Sequence, residues 1–154
     1  MRLFDTFMNR LRLTPVPFQS YEKYIERLRR IPGIDVVSPQ FNSRQVCYDY
    51  IFGIDGDGSS LARLLMYSLT FDYRQEQGKL IFYYSGGRVS HTGIVENDGR
   101  IRSKWGRGPV VRHAIWSVPL GYGSRVNYSN APSENEIAAA KNRSHNFIVP
   151  LLSK

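Results

Sequence analysis

The spacing of apolar residues divides the chain into a helical first half and a β-rich second half. Helical periodicity predicts helices over residues 3–11 and 20–31, a short helical turn over 47–52, and an amphipathic helix that begins near residue 61 and ends before Gly78. Aromatic and β-branched runs predict strands over residues 80–84, 89–96, 100–105, 110–113 and 125–128. Ser133 and Glu136 form a capping box before a last helix. The pattern predicts an α+β fold in which N-terminal helices pack on an antiparallel β meander.

A hairpin signal at Asp98 and Gly99 joins the second and third predicted strands. If these two residues form the turn, Lys104 lies diagonal to His91 on the same face of the hairpin. A shift of one residue exchanges the faces and turns Ser103 toward His91 instead. The sequence leaves this register open.

Length and composition favour one folded domain over residues 1–154, with no internal repeat and no domain boundary. The 42% hydrophobic and 13% aromatic content is typical of a globular protein. A net charge of +8 and a pI near 9.8 favour an anionic partner, for which nucleic acid, a membrane surface and an anionic cell wall all qualify.

The sequence lacks the patterns of a transmembrane helix, a signal peptide, a calcium-binding loop and a zinc site. No apolar run approaches the roughly 20 residues of a transmembrane helix. The first ten residues lack the apolar region of a signal peptide, which predicts a cytoplasmic protein as synthesised, exported by another route if it acts outside. The turn over residues 54–60 is not an EF-hand, because Ser60 and Met66 replace the required Gly and Glu. The histidines and the cysteine lack zinc-ligand spacing, so neither metal nor cofactor is predicted.

The single cysteine, Cys47, opens the predicted helical turn, and His91 follows 44 residues later near the start of a strand. A thiol becomes a useful nucleophile when a helix N-terminus or an imidazolium lowers its pKa. The order of the two residues, cysteine before a helix and histidine on a strand, is that of a papain-like thiol hydrolase. The alternative is a cysteine that serves only as a small core residue.

A thiol hydrolase also needs a group that orients the histidine. Three residues qualify by position, namely Ser103, Lys104 and His113, and of these Lys104 is the predicted catalytic residue. Lys104 would repel the imidazolium and lower the pKa of His91. The third histidine, His145, lies near the C-terminus, where a surface role is expected.

Two segments carry a resemblance to a known family. The first contains Ser90, His91, Thr92, Gly93, Ile94 and Val95, followed by Asp98, Gly99, Arg100 and Ile101 and then by Ser103, Lys104, Trp105 and Gly106. The likeness continues over residues 108–113, then Val118 and Pro119, and then Gly121, Tyr122 and Gly123. The second segment begins at Cys47 and ends at Gly53. Together they resemble the small NlpC-like branch of the papain-like cysteine peptidase and amidase superfamily, over roughly residues 45–128.

The resemblance implies a helix bearing the cysteine, packed on an antiparallel sheet whose second strand carries the histidine. It divides the chain into a helical N-terminal extension over residues 1–40, an NlpC-like core over 41–130, and a C-terminal helix and tail over 131–154. It implies that Cys47 is the nucleophile and His91 the base in cleavage of a peptide or amide bond in bacterial cell-wall peptides. The usual aspartate before the cysteine is replaced by Val46.

Two other functions compete with a thiol hydrolase. A papain-like scaffold that has lost catalysis could act as a binding or inhibitory protein, which the lysine at the third position favours. A basic nucleic-acid-binding module is supported by the net charge alone, because no nucleic-acid-binding motif is present. The substrate and the oligomeric state do not follow from the sequence.

Overall fold

The computed structural model describes residues 21–42, 44–54 and 59–148. The elements, in chain order, are α1 (Tyr21–Arg29), β1 (Asp35–Ser38), α2 (Cys47–Ile51), α3 (Ser59–Tyr67), β2 (Phe71–Asp72), β3 (Leu80–Ser85), β4 (Arg88–Val95), β5 (Ile101–Lys104), β6 (Val110–His113), a 3-10 turn (Leu120–Tyr122), β7 (Arg125–Ser129) and α4 (Glu134–Ile148). The predicted α+β class is confirmed. The helix predicted over residues 3–11 and the turn at residues 55–58 lie outside the described residues.

The strands form one sheet of seven strands in the order β1-β6-β5-β4-β3-β7-β2, and every neighbouring pair is antiparallel. Strand β4, which carries His91, lies at the centre of this order. The predicted antiparallel meander is therefore present, with β7 inserted between β3 and the short edge strand β2. Among the described residues, no helix is long and apolar enough to cross a membrane.

Apolar side chains cover both faces of the sheet, because alternate strand residues pack against different layers. One face packs against α1 and the segment over residues 115–122, and we call it the α1 face. Its buried core consists of Leu28, Ile34, Ile81, Tyr83, Val95, Ile101, Trp105, Val111, Val118 and Tyr128.

The opposite face packs against the three remaining helices, and we call it the α2–α4 face. Its buried core consists of Ile51, Phe52, Ile54, Leu61, Ala62, Leu65, Leu80, Phe82 and Ala140. The sheet is thus the middle layer of three, and side chains at its centre are removed from water on both sides.

The hairpin between β4 and β5 has a three-residue loop, which corresponds to the second of the two registers that the sequence left open. Cα partners pair Ile94 with Arg102. The loop closes with the Glu96 N–H donating to the Arg100 carbonyl at 2.8 Å, and Gly99 takes a positive φ of 80°. Such loops, with glycine in the left-handed region, are a common hairpin type. The extra residue moves the register by one and exchanges the faces.

The helix predicted from residue 61 to just before Gly78 is too long. Helix α3 ends at Tyr67, and Phe71 begins an edge strand that pairs with β7. The Phe71 ring packs edge-on against Phe82, with ring centroids 5.0 Å apart. Tyr73 is exposed, although its spacing continued the apolar face of the helix. Phe71, which follows the end of the helix, is therefore apolar because it contacts the sheet and not because the helix continues.

Two short edge strands, β1 and β2, were not predicted, whereas the last helix was. The Ser133 hydroxyl accepts from the Glu136 N–H at 3.2 Å, and the Glu136 carboxylate accepts from the Ser133 N–H at 2.6 Å. This reciprocal pair confirms the predicted capping box.

Gly93 is a position at which β4 and β5 approach closely. A Cβ atom there would lie 2.6 Å from the Ile101 side chain and 3.0 Å from the Arg102 carbonyl oxygen. We expect Gly93→Ala to lower the free energy of unfolding by about 1–3 kcal/mol, because the strands must separate to admit the methyl group. Urea denaturation measures this loss. Gly121→Ala is the control, since a Cβ atom at Gly121 meets nothing within 4 Å, and an equal loss there would contradict the explanation.

Candidate active site

Cys47 is the first residue of α2 and is 5% exposed. The helix begins there because Val46 is extended and the Asp49 carboxylate, through Oδ2, accepts the Val46 N–H at 3.1 Å. The Val46 side chain has no acceptor, so the aspartate alone caps this end. Burial raises the pKa of the thiol, and the backbone N–H groups of Thr92, Tyr48 and Cys47 only partly oppose this increase.

His91 lies in β4 directly opposite Tyr83, on the α1 face, and is 1% exposed. Its ring stacks on the ring of Tyr122, with centroids 4.0 Å apart and an angle of 12° between the planes. The Tyr83 ring also contacts it, with centroids 5.6 Å apart. The Nε2 atom of His91 is buried and has no hydrogen-bond partner within the described ranges. Aromatic packing, not hydrogen bonding at Nε2, therefore holds the imidazole.

Cys47 and His91 are linked electrostatically or by packing to the same two residues, although they come from different layers. The Thr92 N–H, which acts on the thiol, belongs to the residue that follows His91. Tyr122, which stacks on His91, has its pKa raised by burial and next by the charge of Cys47. Within the described part of the chain no hydrogen bond joins the thiol to the imidazole. The predicted pair thus shares a location around Thr92 and Tyr122 without direct hydrogen bonding.

Tyr122 is held in place by its backbone. The Ser90 hydroxyl donates to the Tyr122 carbonyl at 2.5 Å, and the Tyr122 N–H donates to Pro119 at 3.0 Å. The Gly123 Cα passes so close to the Tyr84 carbonyl that a Cβ atom would lie 1.8 Å from its oxygen. These contacts fix the segment that covers His91 on the α1 face.

Lys104 points away from His91. It neighbours Ser103 on β5, and a Cβ atom at Gly93 would lie 3.0 Å from Ser103 Cβ, which places Ser103 on the α1 face with His91. Lys104 therefore leaves the strand on the face opposite to that of His91, and its ammonium donates to the Gly108 carbonyl at 2.7 Å. Of the two registers that the sequence left open, the three-residue loop selects the one in which Lys104 does not face His91, so Lys104 does not take the predicted catalytic position. Burial lowers the pKa of Lys104.

Ser103 and His113 share a buried hydrogen-bond network on the α1 face. Ser103 Oγ lies 2.8 Å from His113 Nε2 and accepts from Trp105 Nε1 at 3.1 Å. His113 Nδ1 lies 2.7 Å from the Ala114 carbonyl, which can only accept. Nδ1 therefore carries the proton, and Nε2 accepts from the Ser103 hydroxyl. Because these bonds occupy both ring nitrogens, His113 cannot orient His91 by a hydrogen bond.

The environment keeps both members of the Cys47–His91 pair neutral. Burial raises the pKa of the Cys47 thiol to about 12, and the Asp49 charge adds to the increase. Burial holds the pKa of His91 well below its ordinary value, and the charge of His113 lowers it further. The predicted lowering of the His91 pKa is present, but burial and His113 cause it. The predicted lowering of the thiol pKa by the helix and an imidazolium is outweighed by desolvation.

The sequence analysis gave Tyr122, Thr92 and Asp49 no functional role, although all three lie in the segments that carry the resemblance. Tyr122 lies between glycines, a pattern that signals a turn and says nothing of stacking. Thr92 contributes a backbone N–H, which no side-chain motif reveals. Asp49 carried only the general signal that an acidic residue is favourable in the first turn of a helix, because Val46 is not a capping residue type. Among the described residues, no three His, Cys, Asp or Glu side chains cluster as metal ligands.

No protein-family model matches the chain, and no curated protein and no solved structure matches it either.

We expect stability to fall in acid because His91 and His113 are buried neutral. Burial lowers the pKa of His113 to about 4, against an ordinary value of 6.5. Between these values the unfolded chain binds the proton and the folded chain does not. The contribution of the neutral histidines to the free energy of unfolding is therefore fully present above about pH 6.5. It decreases toward pH 4 by about 1.4 kcal/mol per pH unit for each histidine.

Urea denaturation at a series of pH values measures this slope. His113→Gln should reduce the dependence of the free energy of unfolding on pH, between pH 4 and 6.5, by about 1.4 kcal/mol per pH unit. An unchanged slope in the variant would contradict the burial of a neutral His113.

We expect Cys47 to react slowly in the folded protein. A thiol with a pKa of about 12 holds little thiolate near pH 8, whereas an unfolded cysteine titrates near 8.5. Alkylation by iodoacetamide, followed by mass spectrometry at pH 8 with and without urea, compares the two states. Faster reaction in the folded protein would contradict this assignment and indicate a preformed thiolate.

Proposed function

We propose that the chain is a thiol hydrolase that cleaves a peptide or amide bond, with Cys47 as nucleophile and His91 as base. The observation that carries the proposal is the position of Cys47 at the first residue of α2, where backbone N–H groups oppose the rise in the thiol pKa that burial causes. A cysteine that only fills space needs no such donors, whereas a thiolate is stabilised by them.

His91 suits the role of a general base. Its buried Nε2 has no partner in the described part of the chain, and the lowered pKa leaves the imidazole neutral. A neutral imidazole can take the thiol proton as sulfur attacks the carbonyl carbon. The resulting imidazolium then protonates the leaving amine, and water hydrolyses the thioester.

Tyr122 would orient the imidazole of His91 in place of the usual third residue. The usual third residue accepts a hydrogen bond from the imidazole, and neither Lys104 nor His113 is placed to do so. The stacked Tyr122 ring fixes the imidazole plane without adding charge. The net charge of +8 suits an anionic substrate, and cell-wall peptides remain the proposed substrate class.

A second candidate function is a binding or inhibitory protein on a scaffold without catalysis. The observation that favours it is the burial of both reactive groups, at 5% exposure for Cys47 and 1% for His91. A hydrolase of this kind must open around Tyr122 to admit a substrate, whereas a binding protein need not.

The two functions differ in what Cys47→Ala does. We expect this variant to remain folded, at a cost of roughly 1–2 kcal/mol, and to lose all cleavage of cell-wall peptide fragments, because no covalent route remains. Mass spectrometry of the products, and of an acyl adduct on Cys47 in the wild type, measures the reaction.

Matched histidine variants test the base. His91→Gln should abolish cleavage, whereas His113→Gln, which also replaces a buried histidine, should retain it at a temperature where the variant is folded. Cleavage that survives both Cys47→Ala and His91→Gln would overturn the proposal, and absence of cleavage by the wild type would favour the binding protein.

A further inference from the structure

One part of the α2–α4 face carries arginines in place of apolar residues. Five residues form a row of direct Cα partners across neighbouring strands, from β3 to β1, namely Leu80, Ile94, Arg102, Arg112 and Asp35. Their side chains therefore share a face of the sheet. Leu80 and Ile94 pack in the core on this face. Beyond them the face opens to solvent, because the side chains of Arg102 and Arg112 are 39% and 37% exposed.

Arg102 and Arg112 share a single carboxylate. Arg102 Nε lies 3.3 Å from Glu96 Oε1. Arg112 donates two hydrogen bonds to the same carboxylate, from Nε to Oε2 and from Nη2 to Oε1. The two guanidiniums therefore meet at Glu96, although like charges directly opposite each other are unfavourable in a sheet. One carboxylate cannot neutralise both, so an excess positive charge remains on this pair.

The neighbouring charges leave this excess largely in place. Arg100 is paired with Asp35, at 2.6 Å from Nη1 to Oδ2, and its Nη2 donates to the Arg112 carbonyl at 3.0 Å. Glu96 raises the pKa of Arg112, and the charges of Asp98 and Asp35 add to the increase. Asp98 is exposed in the hairpin loop and forms no ion pair among the described residues. Water and salt therefore screen its charge.

A cavity of about 300 Å³ lies at this cluster. Arg102, Arg112 and Glu96 line it together with Gln77 and Asn97. Within the described ranges, no hydrogen bond occupies the Nη groups of Arg102, which keep their donors for a ligand. Guanidinium groups present N–H donors in a planar fork that matches the oxygens of a phosphate. The cavity thus combines excess positive charge with unused donors.

We propose that this cavity binds the phosphate group of a small ligand, held by the guanidiniums of Arg102 and Arg112. A phosphate monoester carries a charge of about −1.5 to −2 near pH 7 and three strong acceptor oxygens, which is more than a carboxylate offers. Its oxygens accept from the N–H groups that Glu96 does not use. The site involves neither Cys47 nor His91, so it does not depend on the proposed hydrolase.

The probe is inorganic phosphate, titrated into the full chain near pH 7 at constant ionic strength. NMR signals of the Nε–H groups of Arg102 and Arg112 report binding, and the amide of Ser129, toward the other end of the sheet, is the reference. We expect saturable shifts at the two arginines only, and weaker binding of acetate, which has one charge. Methyl phosphate distinguishes the source of the group, because it binds as well as the free ion if the natural ligand is an ester.

Charge variants assign the contacts. Arg102→Gln and Arg112→Gln should each weaken phosphate binding about tenfold or more, because a charged hydrogen-bond donor is lost. The control is Arg88→Gln, which removes an exposed arginine at the start of β4 and should leave the affinity unchanged. Asp98→Asn keeps an acceptor for the Arg100 N–H and removes a competing negative charge, so it should strengthen binding.

Arg102→Gln decides the test if Arg112→Gln does not fold, because Arg112 makes both hydrogen bonds to Glu96. Shifts that do not saturate, or an affinity that Arg102→Gln retains, overturn the phosphate site. Acetate that binds as tightly as phosphate also overturns it, since the response is then to anions in general. Saturable binding that is lost in Arg102→Gln and kept in Arg88→Gln supports the site, whether or not Cys47 proves catalytic.

Discussion

Burial of the central strand β4 on both faces is the constraint on which the rest of the site depends. A polar group on such a strand must find a partner or remain unsatisfied. Thr92 Oγ1 donates to the Ile81 carbonyl at 2.8 Å, and Ser90 Oγ donates to the Tyr122 carbonyl at 2.5 Å. His91 differs, because its buried Nε2 has no hydrogen-bond partner among the residues that the structure describes. The side chains of Ser90 and Thr92 are therefore hydrogen-bonded, whereas His91 between them keeps an unbonded Nε2 that could accept a proton.

The same burial fixes the charge state of the candidate site. Removing water favours the neutral thiol and the neutral imidazole together, and the nearby N–H dipoles of Thr92 and Tyr48 only reduce the penalty for the thiolate. Charge separation between Cys47 and His91 therefore requires a change in the surroundings, such as a substrate carbonyl that receives the sulfur as the proton leaves. The Tyr122 segment is the part of the α1 face that covers this position.

Two buried histidines on one face have opposite environments. His113 has both nitrogens bonded, to Ser103 and to the Ala114 carbonyl, and so stabilises the packing between β5 and β6. His91 is held by ring contacts and keeps a nitrogen without a partner. The sequence presents both as a histidine on a β-strand. Only the arrangement of hydrogen bonds separates the structural histidine from the candidate base.

The sequence determined the local elements, because periodicity, Gly99 in the hairpin and the Ser133 capping box act over a few residues. It also identified Cys47 and His91 as residues to consider together. Tertiary structure decided what depends on long-range pairing. One added loop residue placed Ser103 on the same face of the sheet as His91 and turned Lys104 to the opposite face. The length of α3 was set by Phe71 pairing with β7, and the pKa of Cys47 by the layers that bury it. Register and desolvation depend on contacts between distant segments, which a local pattern does not contain.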